Sequence, residues 1–92
     1  MSYRVEISET VQKYLSSLTT KSRRIIGRKI DNLAENPRPH GYEQVKDSSG
    51  YFRIRSGIYR IVYTIRDDVL IVTVVRIDIR DKIYKVIGRL LR

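Results

Sequence analysis

Tyr51-Phe52-Arg53-Ile54-Arg55-Ser56-Gly57-Ile58-Tyr59-Arg60-Ile61-Val62-Tyr63-Thr64-Ile65 reads as two β-strands joined by a tight turn. The stretch is rich in β-branched and aromatic residues, which suit a pleated, half-buried surface. Side chains two apart on a strand share a face, so Tyr51, Arg53 and Arg55 point one way while Phe52 and Ile54 point the other, toward a core. With Ser56-Gly57 as a two-residue turn, Arg55 lies opposite Ile58, Ile54 opposite Tyr59, and Arg53 opposite Arg60. Like charges directly opposed on a sheet cost a few tenths to ~1 kcal/mol unless an anion sits between them. The hairpin therefore predicts an anion site at Arg53 and Arg60 with Tyr51 nearby; a three-residue turn would dissolve that pair.

Outward from the hairpin, Asp67-Asp68 is a second turn and Val69 to Arg76 a third strand, nearly continuous in apolar residues through Val75, as for a strand covered on both faces. On the N-terminal side, Tyr3, Val5 and Ile7 alternate with Arg4 and Glu6, the period of a half-buried strand. Ser8 caps a helix whose stripe is Val11, Tyr14, Leu15 and Leu18. Thr19-Thr20 breaks it and caps a second helix carrying Ile26, Ile30, Leu33 and Ala34 on one face, and Asn36-Pro37-Arg38-Pro39 ends that helix. Residues 40–50 read as loop with a short extended stretch near Gln44-Val45, and Arg80 to Leu91 carries Ile83, Ile87, Leu90 and Leu91 at helical spacing. The order β-α-α-β-β-β-α predicts an α+β domain: a twisted, mainly antiparallel sheet, the N-terminal helical hairpin on one face and a C-terminal helix. Residues 1–92 are expected to form one domain.

Nineteen Lys and Arg against ten Asp and Glu give a net charge of +9, a field that attracts polyanions or an acidic partner. The chain has no cysteine, which excludes disulfides and thiolate metal sites and makes a reducing cytoplasm the expected compartment. Its longest apolar-rich run, Val69 to Val75, is far shorter than the ~20 residues of a membrane helix. Phosphate-loop glycines, a nucleophile elbow and zinc-ligand spacing are absent from the sequence. His40 is the sole histidine and cannot alone form the acid–base pair of a conventional ribonuclease. Asp67-Asp68 and the Asp78/Asp81 pair suit a turn and a helix start better than a metal site. Of the seven tyrosines, Tyr3, Tyr14 and Tyr59 fit the core or its edge, and others can stack on bases.

The stretch from Tyr51 to Tyr63 resembles the central hairpin signature of the RelE/ParE toxin superfamily, in which a Tyr-Arg-aliphatic-aliphatic-Tyr strand follows an Arg- or Lys-rich one. Asn36-Pro37-Arg38-Pro39 with Gly41, and Arg80-Asp81-Lys82-Ile83-Tyr84, match the same family's loop and C-terminal pattern, so the resemblance spans almost the whole chain. It implies a toxin that enters the ribosomal A site and cleaves messenger RNA by attack of the 2′-hydroxyl on the adjacent phosphate, without metal or cofactor. By position, Arg53 and Arg60 resemble the residues that hold the scissile phosphate, Arg80 the arginine near the leaving oxygen, and Tyr84 the tyrosine that stacks on a base or handles a proton; Tyr51 and Arg55 are implied substrate contacts. Two departures stand out: Tyr51 where ribosome-dependent relatives often carry lysine, and Asp78-Ile79 in place of a Gly-His pair. Guanidinium groups match phosphate oxygens well but are poor acids, which leaves Tyr51 and Tyr84 as the site-proximal candidates for proton transfer. The resemblance further implies an acidic RelB-like antitoxin that binds the toxin in a hetero-oligomer, the toxin alone being a monomer, and no membrane partner. Two other readings stay open: a ParE-like protein that poisons DNA gyrase by binding it, and a catalytically inactive basic module.

Overall fold

Two hydroxyl caps set the N-terminal half. In the computed structural model, which describes residues 2–46 and 48–79, Ser8 Oγ accepts from Val11 N–H and opens helix α1 (Glu9–Ser16), and Thr19 Oγ1 accepts from Ser22 N–H and opens α2 (Thr20–Asn32). Strand β1 (Arg4–Ile7) precedes them; β2 (Glu43–Gln44), β3 (Phe52–Ser56), β4 (Tyr59–Arg66) and β5 (Ile71–Ile79) follow. The sheet order is β1-β5-β4-β3-β2, with β1 parallel to β5 and the other neighbours antiparallel. The predicted α+β architecture stands. The short extended stretch after His40 becomes β2, which begins one residue earlier than expected, and the C-terminal helix expected over 80–91 lies outside the described residues.

The helices cover one face of the sheet. Val11, Ile26, Ile30 and Leu33 pack there against Ile54, Ile61, Tyr63, Val72, Val74 and Ile77, all buried. Tyr63 is fully buried between the layers and donates from its hydroxyl to the Pro37 carbonyl at 2.7 Å, which ties the loop after α2 to the core. Burial pushes the Tyr63 phenol up to about 12, with Tyr42 adding to the rise and Arg38 opposing it.

Four sequence readings shift. The hairpin loop is Gly57-Ile58, not Ser56-Gly57, so β3 and β4 each begin one residue later than expected. Gly57 takes φ 61° at the first loop position, where glycine tolerates the backbone that matches the strands' twist. The turn after β4 extends through Leu70, which itself has φ 55°, so β5 begins at Ile71. Burial along β5 alternates at Val72 and Val74, which makes one face deep core and the other only partly covered. Asp78, expected at a helix start, belongs to β5.

Asp67 does more than turn the chain. It accepts both Arg38 Nη groups at 3.2 and 2.9 Å and the Tyr3 hydroxyl at 2.6 Å, joining the segment before β1, the post-α2 loop and the β4–β5 turn. Arg38 and then Tyr3 hold its carboxyl down at about 2. A depressed carboxylate contributes stability that is fully present above its unfolded pKa and lost as pH falls through the folded one. Asp67→Asn is thus expected to lower the melting temperature at neutral pH, with the gap to the parent closing between roughly pH 4 and pH 2. Thermal melts across that range check it.

Candidate nucleic-acid interface

The Gly57-Ile58 loop sets which arginines meet. Arg55, rather than Arg53, lies directly opposite Arg60; Arg53 lies opposite Val62 and, on its other side, Glu43. The expected Arg53–Arg60 cross-strand pair is therefore corrected to Arg55–Arg60. The shift moves the register by a whole face repeat, so Arg53, Arg55 and Arg60 still share the sheet face away from the helices.

That face is partly covered. Val45, Val62, Tyr51 and Val75 form a small second apolar cluster on it, which gives Tyr51 a packing role beside the arginines. Arg60 is buried, at 7% exposure, and its Nη1 donates to the Gly57 and Tyr59 carbonyls at 3.4 and 3.3 Å. These bonds hold the guanidinium against the loop. Arg53 Nη2 donates to Glu43 Oε2 at 2.6 Å. Arg53 holds the Glu43 carboxyl below its ordinary value, and Arg55 and Arg60 pull in the same direction. One carboxylate thus feels all three guanidinium groups, the electrostatic sign that they converge.

A β-bulge adds to the site. The β4–β5 register steps from Val62↔Arg76 to Tyr63↔Val74 and skips Val75. Strict alternation from Val72 and Val74 would turn Arg76 and Asp78 toward the helices. The extra residue turns them to the arginine face instead, with Asp78 opposite Arg60. Arg76 Nε is buried without a hydrogen-bond partner among the described residues. Sequence reading missed Arg76 and Glu43: the bulge has no signal in the β5 sequence, and Glu43 sits in a two-residue strand too short to show a period. Arg80 and Tyr84 lie outside the described residues. His40 is exposed in the loop after Pro39.

The family model for the ParE toxin of type II toxin–antitoxin systems, parDE, matches residues 5–84. The chain belongs to this toxin family. Its fold is that of the RelE toxins as well. A chain in the crystal structure of the archaeal RelE–RelB complex from Pyrococcus horikoshii is 25% identical over 89% of this chain and 99% of that one, with a TM-score of 0.78. A chain of the RelBE2 toxin–antitoxin complex from Mycobacterium tuberculosis is 24% identical over 87% and 100%, with a TM-score of 0.76. An Escherichia coli RelE mutant in the free state is 24% identical over 92% and 93%, with a TM-score of 0.75. At 24% identity these last two likenesses speak for the fold alone. No curated protein sequence is similar enough to count as a relative. Among the described residues of this RelE/ParE toxin, no helix is long and apolar enough to cross a membrane.

Proposed function

We propose that this toxin is a ribosome-dependent endoribonuclease of the cytoplasm that cuts messenger RNA in the A site without a metal or cofactor. The observation that carries the reading is the convergence of Arg53, Arg55 and Arg60 on one sheet face, sensed together by Glu43. Paired guanidinium donors match the oxygens of a phosphodiester and stabilise the charge that develops as it is attacked. In the reaction, the ribose 2′-hydroxyl gives up its proton, its oxygen bonds to phosphorus, the P–O5′ bond breaks, and the departing oxygen takes a proton. A phosphate arriving at Arg53 competes with Glu43 for the guanidinium, and the displaced carboxylate stands beside the substrate as a proton acceptor. Arg80 near the leaving oxygen and Tyr84 as stacking or proton-handling residue complete the site by family resemblance. The ribosome supplies the geometry, since in-line positioning itself carries much of the acceleration.

A RelB-like acidic antitoxin is the proposed partner. It is supported by the solved complexes of similar toxins with RelB and by the +9 charge of this chain. The family-model match to ParE favours a second reading, a gyrase poison that acts by protein binding alone. Purified toxin added to a translating extract separates the two: primer extension is expected to show new message ends at A-site codons. Intact message together with trapped gyrase–DNA complexes would transfer the assignment to the second reading.

A further inference from the structure

Beyond the arginine face, the hairpin's outer edge opens onto a cleft of about 430 Å3 between α2 and the loop after Pro39, within the roughly 300–1,000 Å3 of ligand sites. Its walls include Lys29 and Asn32 from α2, His40 and Gly41 from the loop, and Arg55 and Gly57 from the hairpin. No acidic side chain lines it. Lys29, His40 and Arg55 make no ion pair among the described residues, and each is exposed.

Two residues join this cleft to the arginine face. Arg55 lines it and stands directly opposite Arg60, and Gly57 lines it while its carbonyl accepts from Arg60 Nη1. Gly41 and Gly57 face open space, with nothing within 4 Å of where a Cβ would stand, so the walls let a sugar–phosphate chain come close to the backbone. We infer that the cleft is a subsite for the nucleotide flanking the one held at Arg60, with Lys29 and Arg55 taking its phosphate and His40 and Asn32 its base. An imidazole ring offers a face on which an unpaired base stacks, and an amide side chain offers a donor and an acceptor to the base edge. Lys29 serves here as a point charge, and Arg55 as the fork shared between two successive phosphates.

The inference rests on the RNA reading above. The test titrates the full-length toxin with fluorescent 2′-O-methyl single-stranded oligonucleotides of stepwise increasing length and follows anisotropy at several salt concentrations. The methylated riboses cannot be cut. Wild-type affinity is expected to step up when the added nucleotide reaches the cleft. Lys29→Ala should lose that step, about tenfold, and flatten the dependence of log K on log salt by about 0.7. Lys13→Ala removes an equal charge from α1, outside the cleft, and is expected to keep the step. Wild-type binding with the same step in Lys29→Ala, or equal loss in Lys13→Ala, would overturn the subsite and leave the RNA reading intact. No binding of any length by wild type would overturn both.

Discussion

Arg60→Ala is expected to lower the rate of message cleavage by about 10²–10³, the cost of removing one preorganised charge stabiliser from a low-dielectric site. Arg60 is suited to that part because it is both buried and fixed. Its Nη1 is held to the Gly57 and Tyr59 carbonyls, so the guanidinium needs little reorganisation when a phosphate arrives, and its 7% exposure keeps bulk water from screening the contact. Arg60→Lys keeps the charge but loses the planar fork, and an intermediate rate is expected. Primer extension on messages from a translating extract measures both, with thermal melts run alongside because the lost backbone bonds also cost stability. Cutting by folded Arg60→Ala at the parental rate would remove the arginine face from the mechanism.

Tyr63→Ala should cost about 3–5 kcal/mol, the range for truncating a buried aromatic side chain, against a total of roughly 5–15 kcal/mol for a typical domain. The ring has 0% exposure and lies 6.1 Å from Phe52, which in turn lies 6.0 Å from Tyr42, so its loss opens a cavity under the root of the hairpin. Tyr63→Phe isolates the hydroxyl: Pro37 loses a donor in a buried setting, at about 1–3 kcal/mol. The titration of this phenol has a definite sign. A tyrosine whose folded pKa is raised contributes stability that is whole below its unfolded value near 10 and is lost as pH rises through the folded one, about 12. The parent is therefore expected to lose stability over that alkaline window more steeply than Tyr63→Phe, and urea midpoints measured there decide the matter.

The elements with a repeating pattern were legible from sequence. Ser8 and Thr19 cap because a hydroxyl before an amphipathic stripe has few other uses, and Ile26, Ile30 and Leu33 are buried where their spacing places them. The hairpin arginines share a face because parity is robust to a register shift of a whole repeat. Which two of them face each other was not legible, since that depends on whether Gly57 takes the first or the second loop position. Arg38 and Asp67 each read as loop chemistry, and their union is a tertiary fact between segments with no local sign of each other. The same holds for the bulge that swings Arg76 and Asp78 beside Arg60, because an inserted residue inside a strand leaves the apolar pattern around Val75 unchanged.

The sheet's connectivity also governs when a molecule can become harmful. The last described strand, Ile71–Ile79, sits between β1 and β4, and every β1 partner is 67 residues further along the chain, from Arg4 with Ile71 to Ile7 with Val74. Contacts that distant form late and slowly. A growing polypeptide that has not yet made β5 leaves β1 with nothing to pair with and β4 with a bare edge, an invitation to aggregation or proteolysis. It also lacks Arg76 and Asp78, so the polar side chains that β5 brings to the arginine face have not been synthesised. The sheet closes only once β5 has been made, and a stop codon anywhere upstream of Ile71 leaves β1 and β4 without the strand that joins them.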